Sequence, residues 1–230
     1  KQTQLCKNVA ENHWTLSLSY PNESSERCPV QLNETMARSY VYPTNMQVRE
    51  YQMEAVQSAL FQNTLVVLPT GLGKTFIAAV VMYNYFRWFP EGKIVFMAPT
   101  KPLVEQQVEA CYKIVGIPPE ETAELRGSVP PKKRRELWFQ RRVFFCTPQT
   151  FANDLQKGTC DSSVVKNIVC VVIDEAHKGT GNYAYVDCFL SLSLLVHTHT
   201  HTQHQVLQGR SLHSRAKSVV PSTCTQRNTW

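Results

Sequence analysis

Residues 68–75 read Leu-Pro-Thr-Gly-Leu-Gly-Lys-Thr, and they stand between an apolar run at residues 64–68 and a helix-like stretch at residues 75–88. Gly71 and Gly73 let the backbone curl so that successive N–H groups point inward. The start of the following helix adds positive potential at the same place. This stretch therefore predicts a phosphate-binding loop between a strand and a helix.

The last two residues of this loop supply the groups that a nucleotide requires. Lys74 would reach the β- and γ-phosphates, and the Thr75 hydroxyl would take a coordination position on Mg²⁺. Leu68 stands where the strict phosphate-loop pattern has its first glycine. The alternative is a glycine-containing loop that binds nothing, but its place between strand and helix favours ATP and Mg²⁺ as cofactors.

The rest of the chain alternates between short apolar runs and helix-like segments. Four runs have the composition of strands buried on both faces, residues 64–68, 94–98, 143–146 and 168–173. Residues 122–125 could add a further short strand. Segments of a length that suits crossover helices lie at residues 75–88, 103–115 and 131–140. The pattern predicts an α/β fold with a parallel sheet flanked by helices.

A second motif, Asp174-Glu175-Ala176-His177, directly follows the last apolar run, about a hundred residues after the loop. Carboxylates at the carboxyl end of a parallel strand face the same crevice as a phosphate loop on a neighbouring strand. Asp174 could then hold Mg²⁺ through water, and Glu175 could orient and deprotonate the attacking water. In isolation this tetrapeptide could be an acidic pair at a helix start, but its position favours catalysis.

These motifs resemble those of the DEAD/DEAH-type superfamily 2 helicases, and among them the Fanconi anaemia group M proteins and their archaeal relatives. The resemblance covers about residues 42–186 and includes the segments YPTNMQVREYQ at 42–52, MAPTKPLV at 97–104 and DEAHKGTGNYAY at 174–185. Helicases of this kind tolerate a residue other than glycine at the position of Leu68. The resemblance implies a RecA-like ATP-binding domain of the P-loop NTPase type.

The resemblance also implies roles for individual residues. Lys74, Asp174 and Glu175 are the catalytic candidates, and Gln52 falls where this family reads adenine. The candidate nucleotide-binding residues are Gln52, Leu68, Pro69, Thr70, Gly71, Leu72, Gly73, Lys74, Thr75 and His177. The Mg²⁺ ligands would be Thr75 and Asp174.

Two segments match motifs that grip the nucleic-acid backbone, with Pro99, Thr100 and Lys101 in the first and Thr147, Pro148 and Gln149 in the second. Both follow apolar runs, and a strand end that leads into a helix N-terminus offers free N–H donors and hydroxyls to phosphates. The alternative for residues 147–148 is a simple turn that ends a strand.

The resemblance implies an ATP-dependent DNA helicase or translocase that acts on branched or forked DNA in DNA repair. It also implies a nuclear location and Fanconi anaemia pathway proteins as partners. Two alternatives stay open, an RNA helicase or duplex-RNA sensor and a truncated product that binds nucleotide without turnover. The Ser-Ala-Thr motif and the second lobe that this family carries after the acidic motif are absent from the 230 residues. We therefore expect residues 1–230 alone to be an incomplete and inactive motor.

Composition adds weaker indications. Lys and Arg total 24 against 18 Asp and Glu, and the net charge of +6 favours a polyanionic partner without identifying it. The most basic stretch, residues 132–135 with 141–142, is expected to be a solvated helix face, with phosphate attraction as the alternative. Eight scattered cysteines without a CxxC pair indicate reduced thiols in the core. No signal peptide or membrane segment is expected.

The sequence predicts three parts. Residues 1–40 are polar and irregular and are expected to be flexible, residues 41–187 form the ATP-binding domain, and residues 188–230 form a low-complexity tail. The tail contains the repeat His-Thr-His-Thr-His-Thr at residues 197–202. A His-rich metal site is the alternative there, but neither a carboxylate nor a cysteine accompanies the repeat.

Overall fold

This computed structural model describes residues 4–8, 30–178 and 184–197, which form six strands and eight helices. The strands are β1 (Gln4–Asn8), β2 (Ser39–Tyr42), β3 (Lys93–Met97), β4 (Thr122–Leu125), β5 (Val143–Cys146) and β6 (Ile168–Ile173). The helices are α1 (Glu34–Ala37), α2 (Glu50–Phe61), α3 (Lys74–Trp88), α4 (Lys101–Val115), α5 (Pro131–Gln140), α6 (Pro148–Gln156), α7 (Ser162–Lys166) and α8 (Ala184–His197). β1 and β2 pair antiparallel, and the other strands form a sheet in the order β4-β5-β3-β6. All pairs in this second sheet are parallel, so the predicted α/β fold is confirmed.

The central strands are apolar because they are buried on both faces. β3 and β5 are buried at every position, and β6 is buried at its last four. Met97 of β3 pairs with Cys146 of β5 and with Ile173 of β6, so that three strands end at the same level. The residues that follow them therefore emerge along one edge of the sheet, where parallel α/β folds bind their ligands.

The predicted helices are present, and local residues set their ends. α3 begins directly after Gly73, which has a left-handed φ of 87°. α4 begins at Lys101, two residues earlier than predicted, because Pro102 fits the first turn of a helix, where its missing N–H is not needed. The same helix ends at Gly116, whose φ of 65° is the usual geometry of a helix C-terminus.

The strand expected at residues 64–68 is absent from the sheet, and this part of the prediction is wrong. Leu65 makes only an isolated bridge, and Val67 is 64% exposed. Val66 and Leu68 instead pack, partly buried, against the core that α3 shares with the sheet. The apolar run thus reflects side-chain packing, and the four-stranded parallel sheet in the order β4-β5-β3-β6 does not include it.

The packed structure extends past the boundaries expected at residues 41 and 187. The Asn33 N–H donates to the Trp88 carbonyl at 2.7 Å, and Trp88 Nε1 donates to the Ser39 carbonyl at 3.0 Å, so α1 and β2 are fixed to the end of α3. At the other end, Cys188 and Leu192 of α8 are buried in the core. The rest of the expected N-terminal segment and tail, residues 1–3, 9–29 and 198–230, lies outside the described residues.

Arg134 corrects the expectation that residues 132–135 form one solvated or phosphate-binding face. It is only 6% exposed, and its guanidinium donates to Asp154 Oδ1 at 2.6 and 3.0 Å and to Oδ2 at 3.0 Å. Asp154 is fully buried and also accepts a hydrogen bond from Trp138 Nε1 at 3.0 Å. This pair joins α5 to α6, so Arg134 is structural, while Lys132, Lys133 and Arg135 are exposed.

Two further basic residues bind the C-terminal ends of helices. Arg142 Nη2 donates to the carbonyls of Phe86 and Phe89 at 2.7 and 2.8 Å, and its guanidinium lies 3.8 Å from the centre of the Phe86 ring. Lys93 Nζ donates in the same way to two carbonyls at the end of α5. Because the last carbonyls of a helix lack partners and carry partial negative charge, both contacts stabilise helix ends. Arg142 is therefore not a phosphate ligand.

The described cysteines behave as expected. Cys111, Cys146, Cys160, Cys170 and Cys188 are buried and free, and burial raises the pKa of the Cys111 and Cys170 thiols to about 12. These two thiols are therefore protonated at neutral pH and behave as small apolar groups. A search of the described helices for a membrane-spanning segment found none of sufficient length and hydropathy.

We predict that Asp154→Asn destabilises the protein by roughly 3–5 kcal/mol, because it leaves the buried Arg134 charge without its counter-charge. Urea denaturation followed by circular dichroism measures this loss. The matched control is Arg126→Met, which removes an exposed guanidinium that bonds Glu124 at 2.6 Å and Glu105 at 2.9 Å. The control should unfold at nearly the same urea concentration as the parent. Equal losses in the two variants would contradict a structural role for the buried pair.

Candidate functional site

Three groups of predicted residues meet at the carboxyl edge of the parallel sheet. The main-chain N–H of Asp174 donates to the Met97 carbonyl at 2.8 Å, and that of Ala98 donates to the Cys146 carbonyl at 3.1 Å. These bonds continue the ladders of β3, β5 and β6 by one residue. The N-termini of α4 and α6 and the acidic segment after β6 therefore lie side by side.

The loop before α3 has the backbone that a phosphate-binding loop needs. Gly71 and Gly73 have φ of 84° and 87°, in the left-handed region that residues with a Cβ rarely adopt. Because α3 begins at Lys74, the free N–H groups of its first turn lie at the loop. Lys74 is exposed and Thr75 is half-buried in that turn, which contains no acidic residue. The loop thus presents donors and positive potential together.

Two side chains of α2 hold this loop. Tyr51 Oη and Gln52 Nε2 each donate to the carbonyl of Leu72, both at 3.0 Å. Gln52 is only 6% exposed, so its amide is packed against the loop. In this arrangement its nitrogen bonds the protein, and its pairing with adenine stays a prediction. Tyr51 was missed in the sequence, where nothing marked it except its position next to Gln52.

The acidic motif begins with a strained main chain. Glu175 has a φ of 53° and is the only residue besides glycine with a positive φ among the described residues. Its N–H donates to Asp174 Oδ1 at 3.0 Å, and the carbonyl of Asp174 accepts from Tyr185 Oη at 2.7 Å. Burial, and secondarily the nearby Asp174 charge, raise the pKa of Tyr185, so its hydroxyl stays protonated and donates. Backbone strain of this kind is concentrated at functional sites.

Other neighbours of the acidic motif are less tightly placed. Gln107 Nε2, on the buried side of α4, lies 3.5 Å from Asp174 Oδ2. His177 Nδ1 lies 3.3 Å from Glu175 Oε2, and its side chain is 70% exposed. Sequence reasoning missed Gln107 and Tyr185, because only the fold brings them to the acidic motif. Among the described residues there is no group of three His, Cys, Asp or Glu side chains that could hold a metal ion by themselves.

The candidate nucleic-acid contacts differ in accessibility. Thr100 and Lys101 are exposed at the first turn of α4. In the second segment, Thr147 Oγ1 accepts from the N–H of Thr150 at 3.4 Å and thereby caps α6, and Pro148 is buried. Gln149 is exposed. Of the second segment, Gln149 and the N-terminus of α6 are therefore best placed to meet a phosphate, while Pro99 is half-buried beside Thr100.

Comparison with protein families gives one matching model, described as type III restriction enzyme, res subunit, over residues 45–202. The ATP-dependent DNA helicase fml1 of Schizosaccharomyces pombe is 59% identical over 174 residues, which are 75% of this chain and 20% of that protein. The Fanconi anemia group M protein homolog of Mus musculus is 61% identical over 146 residues, which are 64% of this chain and 7% of the mouse protein.

A solved structure is similar over the same region. The helicase domain of Hef from Pyrococcus furiosus matches with a TM-score of 0.57 and 37% sequence identity over 64% of this chain and 30% of that chain. The chain therefore spans less than a third of the length of each of these relatives. The residues that the family model matches, 45–202, contain the parallel sheet and both motifs.

Two glycine variants test the packing of Gln52 against the loop. A Cβ on Gly73 would clash with Gln52 Nε2, whereas a Cβ on Gly71 would meet nothing within 4 Å. Since both glycines have the same strained φ, the difference between the variants isolates the clash. Overpacking costs about 1–3 kcal/mol, so Gly73→Ala should weaken ATP binding about tenfold more than Gly71→Ala.

Titration with a fluorescent ATP analogue measures both dissociation constants. Adding Gln52→Ala to the Gly73→Ala variant removes the clashing amide and should recover part of the lost affinity. Equal dissociation constants for the two single variants would mean that Gln52 does not pack on the loop.

Proposed function

This chain belongs to the family described as type III restriction enzyme, res subunit, and on that premise we propose that it is the ATP-binding lobe of an ATP-dependent DNA helicase or translocase that acts in DNA repair. The observation that carries the proposal is the shared sheet edge. The acidic pair and the N-termini of α4 and α6 meet there, and the glycine loop that precedes α3 supports ATP as the ligand. ATP hydrolysis and a grip on a nucleic-acid backbone can thus be performed by neighbouring segments.

ATP would bind with its phosphates on the loop. The left-handed Gly71 and Gly73 would let N–H groups turn toward phosphate oxygens, and the positive end of α3 and Lys74 would add charge for the β- and γ-phosphates. The contacts of Tyr51 and Gln52 with Leu72 keep this loop in shape before the nucleotide arrives. A preformed loop loses less conformational freedom on binding.

The chemistry of the donors suits Mg²⁺. Thr75 offers a hydroxyl and Asp174 offers a carboxylate, which are the hard oxygen ligands that this ion takes. Mg²⁺ typically binds to one or two protein groups together with substrate phosphates, so these two side chains suffice as its protein ligands. When bound, the ion would neutralise charge on the phosphates. Thr75 and Asp174 would hold it.

Glu175 would act as the general base. Its carboxylate is 37% exposed, and it follows the Mg²⁺ ligand Asp174 directly. It would orient a water molecule and accept its proton as the water oxygen bonds to the γ-phosphorus and the bond to the β-phosphate oxygen breaks. ADP and inorganic phosphate are then released. His177, whose Nδ1 lies near the Glu175 carboxylate, would change its contacts when the γ-phosphate is cleaved.

The nucleic acid would lie across the N-termini of α4 and α6. Thr100, Lys101 and Gln149 are exposed there, and free N–H groups at helix starts bind phosphates without reading sequence. Lys132, Lys133 and Arg135 could add salt-sensitive attraction, whereas Arg134 and Arg142 are engaged within the protein. Branched or forked DNA as the substrate, a nuclear location and partners from the Fanconi anaemia pathway are proposed from the similarity to DNA repair helicases.

Residues 1–230 alone should hydrolyse ATP only slowly. In motors with two lobes an arginine from the opposing lobe stabilises the transition state, and such an arginine is worth about 10³ to 10⁵ in rate. Movement along a strand also requires two lobes that open and close against each other. We therefore propose that this lobe works together with a second one, and the experiments below use the longest natural protein that contains it.

We predict that Lys74→Ala weakens ATP binding and that Glu175→Gln preserves binding but lowers hydrolysis about 10² to 10⁴-fold. The reason is that Lys74 binds phosphate in the ground state, whereas Glu175 is needed only when water attacks. Nucleotide titration and a DNA-stimulated ATPase assay separate the two effects. Lys113→Ala, which removes an exposed lysine paired with Glu109 at 2.6 Å, is the matched control and should behave as the parent.

ATPase activity at the parental level in Lys74→Ala would contradict the assignment of residues 68–75 as a phosphate-binding loop. Strand displacement on forked DNA and on duplex RNA of matching sequence decides the substrate, because phosphate contacts alone do not select the sugar. Unwinding of RNA alone would identify an RNA helicase. ATP binding without turnover in the parent protein would favour the non-catalytic alternative.

A further inference from the structure

We propose that Tyr185 is a positioning residue for ATP hydrolysis, whose hydroxyl fixes the peptide between Asp174 and Glu175 and thereby aims the Glu175 carboxylate. This inference rests on the proposed function, because it takes Glu175 as the general base. The Tyr185 hydroxyl donates to a main-chain carbonyl, that of Asp174. It would act through the main chain alone.

The geometry shows a peptide unit that is held at both ends. The Asp174 carbonyl and the Glu175 N–H belong to one planar unit. The carbonyl oxygen accepts from Tyr185 Oη at 2.7 Å, and the N–H donates to Asp174 Oδ1 at 3.0 Å. On its other side, Asp174 is attached to β3 through its own N–H, which donates to the Met97 carbonyl at 2.8 Å. These three hydrogen bonds restrain the orientation of the plane.

Glu175 needs such a restraint because of its backbone conformation. Its φ of 53° lies in the left-handed region, where the Cβ of an ordinary residue comes too close to a carbonyl oxygen. A glutamate persists there only if the surrounding structure holds it. If the carbonyl of Asp174 lost its donor, the peptide could rotate and Glu175 could relax to a right-handed conformation. Its carboxylate would then point away from the attacking water.

The Tyr185 ring is itself firmly placed, so its hydroxyl can serve as a fixed point. The residue is 1% exposed and belongs to the core cluster that contains Met97, Ile173 and Cys188. It lies in the first turn of α8, which packs against α6. The hydroxyl therefore holds the residue after β6 at a fixed position relative to α8. The core thus determines the direction of the base.

Tyr185→Phe in the longest natural protein tests this inference, because it removes only the hydroxyl and keeps every ring carbon. We expect kcat for DNA-stimulated ATP hydrolysis to fall about 10 to 100-fold, since a catalytic group displaced by about 1 Å can lose 10²-fold in rate. The dissociation constant of a fluorescent ATP analogue should stay within about twofold of the parent value, since the loop is untouched. Amide hydrogen exchange in the nucleotide-free protein should rise at Glu175.

Tyr85→Phe is the matched control, because the Tyr85 hydroxyl also donates to a main-chain carbonyl, that of Leu60, at 3.3 Å. It should keep the parental kcat and the parental exchange rate at Glu175. Melting temperatures of both variants are measured alongside, and the assays are run well below both. Parental kcat and unchanged exchange in Tyr185→Phe would overturn the inference while leaving the proposed function intact.

A double variant separates positioning from general destabilisation. In a Glu175→Gln background the base is already absent, so Tyr185→Phe should cause no further loss of residual hydrolysis. A further loss as large as in the parent background would mean that Tyr185 acts elsewhere, and the inference would fail. Parental hydrolysis in Glu175→Gln alone would instead refute the role of the base, and with it the proposed function.

Discussion

The parallel register of β3, β5 and β6 is the constraint on which the site depends. Because Met97 pairs with both Cys146 and Ile173, the three strands end at one level and deliver three different motifs to one edge. A shift of one strand by a single residue would move its motif along the edge and turn every side chain of that strand to the opposite face. Burial on both faces opposes such a shift. Side chains that are packed against the flanking helices would have to leave their positions in the core.

Polar contacts in the interior adapt this sheet to its function. The buried pair of Arg134 and Asp154 ties α5 to α6, whose N-terminus is a candidate for phosphate contact. Arg142 stabilises the end of α3, the helix that begins at the phosphate-binding loop. Some of the basic side chains, such as Arg134 and Arg142, thus form hydrogen bonds within the protein that stabilise its packing. Net charge is for this reason a poor guide to how strongly the domain attracts nucleic acid.

The site combines rigid and strained parts in a way that local sequence does not reveal. Left-handed glycines shape the candidate phosphate-binding loop without steric strain, because glycine has no Cβ to clash. Glu175 adopts a left-handed conformation without that advantage, and its peptide is held by hydrogen bonds from the Tyr185 hydroxyl and to the Asp174 carboxylate. The glycines of the loop can be recognised in the amino-acid sequence. The left-handed conformation of Glu175 is held only when α8 has packed into the core and brought the Tyr185 hydroxyl to Asp174.

The sequence by itself determined the α/β class, the helices near residues 75–88, 103–115 and 131–140 and the two motifs, because hydrophobic periodicity and glycine placement are local properties. Tertiary structure decided what local patterns leave open. The apolar run at residues 64–68 had the composition of a strand but makes no ladder, since a strand requires a partner that local sequence does not specify. Arg134 and Tyr185 likewise received their roles from Asp154 and Asp174, because burial and hydrogen-bond partners depend on which distant segments the fold brings together.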